Sequence, residues 1–114
     1  MIWYACDQDF GAKRSVFAPF FGIATATLKM PMRIAELSGT TVLPFTHYRK
    51  TDNSGYRMTI HPPLTNFPSD DVIADASQIN QVLENAIRQH PEQYLWLHRR
   101  FKTRPNNEEN FYGH

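Results

Sequence analysis

A polar loop near the start of the chain is the first candidate for chemistry. The run Asp7-Gln8-Asp9-Phe10-Gly11 combines two carboxylates and an amide with a glycine that favours a turn. Lys13, Arg14 and Ser15 follow it closely. Acidic and basic groups at this spacing can surround a polar ligand, or can pair with one another on the surface. Because the run follows an apolar segment, and ligands of open α/β sheets lie at the carboxyl ends of strands, we predict a ligand site here.

A second candidate lies near the carboxyl end, in a segment rich in aromatic and basic residues. Pro91 suits the first turn of a helix and Pro105 cannot continue one, so we predict a short helix between them. Tyr94, Leu97 and Phe101 would share its buried face. Near its C-terminal end the chain carries the cations Arg99, Arg100, Lys102 and Arg104. They can complement the helix dipole, or bind a phosphate or carboxylate, and charge alone does not decide between the two.

A histidine and an acid separated by four residues, His47 and Asp52, match the dyad of several acyltransferases. The histidine would act as a general base and the carboxylate would orient it. We reject this pair as catalytic, because His47 is predicted in a hairpin strand and Asp52 in its turn, far from the strand ends that hold ligands. His61 and His90 are assigned to a strand terminus and a helix end. No spacing of histidines or carboxylates predicts a metal site, and no cofactor is expected.

The length, net charge and cysteine count of the chain limit the classes of protein to which it can belong. A chain of 114 residues and 13.3 kDa forms one domain, and a formal net charge of +1 argues against a nucleic-acid binder. Cys6 is the only cysteine, which excludes an internal disulfide and a zinc site of several cysteines. We find no apolar run long enough for a membrane span and no signal peptide. The aromatic segment from Phe17 to Phe21 suits either a core or an apolar ligand.

The elements that must position the first loop are predicted from apolar patterning. Ile2–Cys6 resembles a buried strand of a parallel sheet, and Ser15–Gly22, interrupted by Pro19, is predicted to be extended. A helix follows from about Ala26 to Leu37, with Pro31 either kinking it or marking its first turn. Thr40–Phe45 is the next predicted strand. Strand, helix and strand would form a right-handed parallel crossover.

The second half of the chain has clearer signals. Phe45–Lys50 and Gly55–Ile60 flank a turn sequence and predict a β-hairpin. Apolar residues at helical spacing predict an amphipathic helix from Asp71 to about Gln89, preceded by a capping residue at Asp70. The predicted fold class is α/β: a partial open sheet with a strand–helix–strand unit, a β-hairpin and a long amphipathic helix. Residues 1–105 form the domain and residues 106–114 a polar tail that frays.

Three ordered stretches together resemble the late acyltransferases of lipid A biosynthesis, the lauroyl and myristoyl acyltransferase family of the lysophospholipid acyltransferase superfamily. They are residues 2–11, residues 15–22 and residues 91–105. The likeness extends through the Leu43-Pro44-Phe45 segment, the Ile60–Leu64 segment and the amphipathic helix, and so covers nearly the whole chain.

The resemblance implies an enzyme at the cytoplasmic face of the inner membrane. It would move a fatty acyl group from acyl carrier protein to a hydroxyl of an acylated lipid A precursor. In that family the catalytic histidine and acid, and the membrane anchor, precede the motif that begins at Asp7. We therefore expect this chain to be the C-terminal half of such an enzyme, peripheral on the membrane and inactive alone.

The same resemblance implies the residues that meet substrate. The ligand-facing set is Asp7, Gln8, Asp9, Arg14 and Ser15, and the basic end with Arg99, Arg100 and Lys102 would meet lipid phosphates or acyl carrier protein, or would anchor the fold. Two other functions stay open. One is a non-catalytic module that binds lipid or carrier protein. The other is a small nucleic-acid binder using Trp96, which the near-neutral charge disfavours.

Overall fold

A computed structural model describes residues 1–112. Its first sheet is an antiparallel hairpin of β1 (Ser15–Phe20) and β2 (Ile23–Leu28), in register from the Ser15–Leu28 pair to the Phe20–Ile23 pair. The connecting residues Phe21 and Gly22 both have positive φ, 52° and 76°, as a two-residue hairpin turn that follows the twist of its strands requires. The prediction of an extended Ser15–Gly22 segment is confirmed over Ser15–Phe20, whereas Phe21 and Gly22 form the turn.

Two helices follow the strands. Helix α1 (Met30–Ser38) ends at Gly39, whose left-handed φ of 67° lets its N–H reach the Ala35 carbonyl. Helix α2 (Val72–Gln89) begins after Asp71, whose carboxylate accepts hydrogen bonds from the N–H groups of Ile73 and Ala74. The amphipathic helix is thus confirmed, with Asp71 rather than Asp70 as its cap.

The core lies between α2 and the β1–β2 hairpin. One end is built from non-aromatic side chains and the other mainly from aromatic rings. The first cluster contains Ala18, Met32, Ala76 and Ile79, and the second contains Phe20, Ile87 and Phe101. Phe20 is only 1% exposed, so the aromatic segment contributes at least this ring to the core.

The predicted second hairpin is also confirmed. It pairs β3 (Phe45–Arg49) with β4 (Tyr56–Ile60) in antiparallel register. Its β3 strand is fastened to the end of α2 by Tyr48, which stacks on His90 with ring centroids 4.0 Å apart. The side-chain amide of Gln93 accepts a hydrogen bond from the Arg49 N–H at 2.7 Å and donates one to the Arg49 carbonyl at 2.8 Å.

The predicted class, mixed α/β with a hairpin and a long amphipathic helix, is confirmed, but the parallel crossover is wrong. Both sheets are two-stranded and antiparallel, and β2–α1–β3 connects one sheet to the other. The helix predicted over Ala26–Leu37 is split, because alternating Ala and Thr continue β2 to Leu28 and Pro31 occupies the first turn of α1. The strand predicted over Thr40–Phe45 begins only at Phe45.

The first predicted strand is wrong as well. Ile2–Cys6 forms no strand, and Ile2 and Trp3 are 72% and 74% exposed. An unalternating apolar run becomes a strand only when a neighbouring strand pairs with it, and within residues 1–112 no strand lies against this run.

The helix predicted between Pro91 and Pro105 is replaced by 3₁₀ turns at Pro91–Gln93, Trp96–His98 and Pro105–Asn107. The predicted buried stripe holds for Phe101, which is buried, and partly for Tyr94, but Leu97 is 88% exposed. Arg99 adopts a left-handed φ of 54°, which interrupts any helix at that point. In the predicted tail, Tyr112 folds back, and its hydroxyl accepts a hydrogen bond from the Phe101 N–H at 3.0 Å.

Candidate functional site

The loop that starts at Asp7 is joined to the far end of the chain through Asp9. This carboxylate is 5% exposed and accepts three hydrogen bonds. One comes from the Gly11 N–H at 2.9 Å and closes the loop. The other two come from the N–H and the hydroxyl of Thr103, at 2.7 and 2.8 Å. Loop and carboxyl-terminal segment are therefore one structural unit.

Arg100 precedes Thr103 of this junction in the chain and, within residues 1–112, is the largest of the fully buried side chains, with 1% exposure. Its guanidinium donates to the carbonyl of Ala26 and lies 3.5 Å from the hydroxyl of Thr27, both in β2. The guanidinium also sits over the ring of Phe20, 5.4 Å from the centroid. These contacts join the carboxyl-terminal segment to the first sheet.

The electrostatics of the junction are set by burial. Burial lowers the pKa of Arg100, while the neighbouring Tyr94, Asp9 and Asp7 act in the opposite direction and favour its charged form. Burial also raises the pKa of the Tyr94 phenol, with a smaller contribution from the Asp7 carboxylate. Cys6 has a pKa raised to about 11 by the same two causes, burial first and Asp7 second. The carboxylates of the Asp7–Gly11 loop thus help to keep the buried Arg100 charged.

Tyr94 connects the junction to an open cleft. Its hydroxyl lies 3.4 Å from the Asp7 carbonyl and 3.1 Å from Nε2 of His98. The cleft has a volume of about 310 Å³. Its polar walls are Asp7, Gln8, Thr46, His47, Tyr48, His90, Gln93, Tyr94 and His98, and its apolar walls are Phe45, Leu83, Ala86, Ile87 and Leu95. Carboxylate, amide and imidazole groups beside aliphatic ones suit a ligand that is itself amphiphilic.

The structure brings together only part of the predicted set. Asp7, Asp9 and Arg100 are neighbours, and Gln8 lines the cleft. Ser15 is buried, and within residues 1–112 its hydroxyl has no hydrogen-bond partner. Three further members lie at the surface: Arg14, Arg99 and Lys102. Arg14 supplies a backbone contact, since its carbonyl accepts from the Lys29 N–H at 3.1 Å, and the Arg99 guanidinium lies 5.7 Å from the Tyr112 ring centroid.

Thr103, His98 and Gln93 escaped the sequence-based prediction. Thr103 and Gln93 contact Asp9 and Arg49, which lie 94 and 44 positions away, and His98 contacts Tyr94 within a segment that forms no regular helix. None of the three belongs to a recognisable local motif. The only available signal was their position within the Pro91–Pro105 segment. Its unusual density of aromatic and basic residues had already marked that segment as important.

His47 and Asp52 lie where the hairpin prediction placed them. His47 is exposed in β3, and Asp52 accepts a hydrogen bond from the Ser54 N–H at 2.9 Å within the turn. Hydrogen bonding with the Ser54 side chain, and secondly with its backbone N–H, lowers the pKa of the Asp52 carboxyl. The carboxylate is therefore engaged in the turn and does not orient the imidazole.

Metal ligation and membrane spanning in residues 1–112 bear on the class of site. No cluster of three or more metal-ligating side chains is found in this part of the chain. None of the helices described here is long and apolar enough to traverse a bilayer.

The sequence model of one protein family, the bacterial lipid A biosynthesis acyltransferases, matches residues 1–103. The matched region includes the Asp7–Gly11 loop, the cleft and Arg100. The chain belongs to this family. The resemblance seen in the sequence is thereby confirmed. The lipid A biosynthesis palmitoleoyltransferase of Escherichia coli is 46% identical over 112 residues, which are 97% of this chain and 36% of the relative.

Two more members of the lipid A acyltransferase family show the same pattern of coverage. The lipid A biosynthesis lauroyltransferase of Escherichia coli is 44% identical over 106 residues, which are 92% of this chain and 35% of the length of that enzyme. A lipid A biosynthesis acyltransferase of Haemophilus influenzae is 41% identical over 107 residues, which are 92% of this chain and 34% of the length of that protein. The chain thus spans about a third of the length of the curated relatives it matches.

Proposed function

We propose that this chain forms the C-terminal part of an acyltransferase that moves a fatty acyl group from acyl carrier protein to a hydroxyl of a lipid A precursor. The observation that supports this most directly is the junction between Asp9 and Thr103, which lies in the region matched by the family. It holds the Asp7–Gly11 loop, whose Asp7 and Gln8 line a cleft with mixed polar and apolar walls. Preorganised polar groups beside apolar walls suit an acylated, hydroxyl-bearing substrate.

The proposed roles of the predicted residues follow their positions. Asp7 and Gln8 face the cleft and would contact the polar part of the substrate. Asp9 is buried and would hold the loop that presents them, and Arg100 would join the carboxyl-terminal segment to β2. Ser15 is buried at the start of β1 and would support that strand. The surface cations Arg14, Arg99 and Lys102 would meet lipid phosphates or the acidic surface of acyl carrier protein.

We propose further that the 114-residue chain is inactive by itself. Acyl transfer to a hydroxyl requires a base that removes the hydroxyl proton, and such a base typically contributes about 10²–10⁴-fold. Asp52, the carboxylate at dyad spacing from His47, is engaged in its turn and does not orient the imidazole. The base would therefore come from the part of the family members' sequence that precedes the region matched by this chain. In this arrangement the chain works at the cytoplasmic face of the inner membrane.

A fusion experiment tests the proposal. The chain is joined to the preceding part of the Escherichia coli palmitoleoyltransferase, and transfer from acyl-acyl carrier protein to a lipid A precursor is followed by mass spectrometry. We expect product from the fusion and none from the chain alone. Asp7→Asn in the fusion should reduce transfer by at least about 10²-fold, the scale of lost positioning at an active site. Glu36→Gln, at an exposed position on α1, is the matched control.

The outcomes separate the candidate functions. Product from the chain alone would contradict the proposed inactivity. A folded fusion that binds acyl carrier protein but forms no product would favour the non-catalytic module instead. If the Asp7→Asn fusion transfers as fast as the Glu36→Gln control, the cleft is not the substrate site.

A further inference from the structure

The peptide group between Asp7 and Gln8 is held by a side chain from the far end of the chain. Both residues line the cleft assigned to substrate, and the peptide group that joins them carries the Asp7 carbonyl. The Tyr94 hydroxyl donates a hydrogen bond to this carbonyl at 3.4 Å. Because a peptide group is planar, fixing its carbonyl also fixes the direction of the Gln8 N–H. A single contact therefore bears on the orientation of both residues.

The Tyr94 phenol is itself held in place. A hydrogen bond of 3.4 Å is long for a hydroxyl donor, so it can restrain the loop only if the donor is fixed. The rings of Phe20, Trp96 and His98 pack edge-to-face with that of Tyr94, with centroids 6.4, 4.8 and 5.2 Å away. The phenol oxygen also lies 3.1 Å from Nε2 of His98. The hydroxyl is thus held at a defined point beside the loop.

The directions of these hydrogen bonds assign the protons. A carbonyl oxygen only accepts, so the single proton of the Tyr94 phenol goes to Asp7. The phenol oxygen then accepts from His98, whose Nε2 is the protonated ring nitrogen. The other nitrogen of His98, Nδ1, is buried and has no partner within residues 1–112. In this tautomer Nδ1 carries no proton, so no buried N–H of the ring is left without an acceptor.

Burial keeps the phenol available as a donor. It raises the pKa of the Tyr94 hydroxyl, with the Asp7 carboxylate as a smaller cause in the same direction. The hydroxyl therefore stays protonated around neutral pH. The chain of hydrogen bonds that runs from His98 through Tyr94 to Asp7 persists under those conditions.

This contact complements the one made by Asp9. The Asp9 carboxylate is bonded to Thr103 and to the Gly11 N–H, which fixes the later part of the loop. Gln8 is exposed and lies between the two points of attachment. Among residues 1–112 the Tyr94 hydroxyl is the one side-chain group that hydrogen-bonds to Asp7 or Gln8. The residues that line the cleft are therefore restrained by Tyr94, and the loop behind them by Thr103.

We infer that Tyr94 and His98 are positioning residues for the proposed acyl transfer. His98 directs the Tyr94 proton to the Asp7 carbonyl, and this bond fixes the peptide group between Asp7 and Gln8. The carboxylate and the amide of these two residues then meet the polar part of the substrate in one orientation. The inference rests on the proposed function, since it takes the cleft as the substrate site.

NMR of the 114-residue chain tests the hydrogen bonds without any substrate. Nitrogen-15 spectra at pH 8, where free imidazole is neutral, distinguish the two tautomers, and the His98→Gln spectrum identifies the signals of His98. We expect the Nε2–H tautomer. In Tyr94→Phe the order parameter of the Gln8 amide should fall from about 0.85, the rigid range, to below about 0.6. That of the Gly11 amide, which Asp9 holds, should not change.

Transfer by the fusion with the preceding part of the Escherichia coli palmitoleoyltransferase tests the effect on the reaction. Tyr94→Phe keeps the ring and removes only the hydroxyl, so kcat should fall at least about tenfold with little change in KM for acyl-acyl carrier protein. His98→Met should lower kcat similarly. His98→Gln has the same length and supplies an N–H donor, so it should restore most of the transfer that His98→Met loses. Tyr56→Phe, which removes an exposed hydroxyl from β4 outside this cleft, is the matched control.

Several results would overturn the inference. They are an Nδ1–H tautomer of His98, an unchanged Gln8 order parameter in Tyr94→Phe, equal kcat for Tyr94→Phe and Tyr56→Phe, or equal kcat for His98→Gln and His98→Met. Circular dichroism establishes that each variant is folded, and the two His98 variants decide the question if Tyr94→Phe does not fold. If the unaltered fusion forms no product, the proposed function fails and the role in transfer with it, whereas the NMR experiment still judges the attachment of the loop.

Discussion

The carboxylate of Asp9 accepts hydrogen bonds from both the backbone N–H and the hydroxyl of Thr103, at 2.7 and 2.8 Å, across 94 positions of the chain. Through this contact the Asp7–Gly11 loop and the Pro91–Pro105 segment support one another. The bonds are charge-assisted and short, and a third bond from Gly11 keeps the carboxylate in place. The shape of the cleft therefore depends on a residue that never faces it.

Asp9→Ala should lower the free energy of unfolding by about 3 kcal/mol, because it leaves the donors of Thr103 unpaired and removes a carboxylate beside the buried Arg100. Thr103→Val removes only the hydroxyl and should cost about 1 kcal/mol. Chemical denaturation of both variants measures the difference. Equal effects would mean that the carboxylate contributes nothing beyond its bond to the hydroxyl.

Arg100→Ala distinguishes a structural from a ligand-binding role. Arg100 is 1% exposed and bonded to β2, so its removal should cost about 3–5 kcal/mol of unfolding free energy. Lys102→Ala, at an exposed position, should change stability by less than about 0.5 kcal/mol. A stable Arg100→Ala protein with impaired transfer in the fusion would show that the guanidinium meets substrate directly.

Cys6 should resist alkylation. Burial, followed by the Asp7 carboxylate, raises the pKa of its thiol from 9.0 to about 11. The reactive thiolate is correspondingly scarcer, so iodoacetamide at pH 8 should modify the folded chain about 100-fold more slowly than the unfolded chain. Mass spectrometry with and without denaturant gives both rates. Equal rates would place the thiol in free contact with water.

The same shift has a defined effect on stability. The unfolded thiol ionises first, so the contribution of Cys6 to stability is complete below pH 9.0 and declines as pH rises from there towards about 11. Cys6→Ser, whose hydroxyl does not ionise in this range, should remove that part of the decline. Denaturation curves across this alkaline range test it, and an unaltered pH dependence in Cys6→Ser would assign the decline to other groups.

The cap of α2 provides a matched pair of neighbouring aspartates. Asp71 accepts hydrogen bonds from the N–H groups of Ile73 and Ala74, each at 3.1 Å, and Asp71→Ala should cost about 1 kcal/mol. Asp70 lies one residue earlier, and Asp70→Ala should change stability by less than about 0.5 kcal/mol. Thermal denaturation of the two variants checks the assignment, which would be reversed if Asp70→Ala were the more damaging substitution.

Prediction from the sequence succeeded where a local pattern is sufficient. Helix α2 is specified by apolar residues at helical spacing, and the β3–β4 hairpin by the turn sequence between its strands. It failed at Ala26–Leu37, because alanine favours helices while the Ala–Thr alternation fits a strand that β1 is available to pair. It failed at Ile2–Cys6 for the opposite reason, since a strand pattern remained without a partner.

The sequence by itself determined the family, the long helix, the second hairpin and the importance of the Asp7–Gly11 and Pro91–Pro105 segments. Only the tertiary structure decided that the two segments meet, that Thr103 holds Asp9 and that Arg100 is buried against β2 while Arg99 and Lys102 stay at the surface. The physical reason is the distance along the chain between the residues that interact. Helices and turns are formed by residues a few positions apart, whereas burial of a charge depends on partners that lie 74 or 94 positions away along the chain.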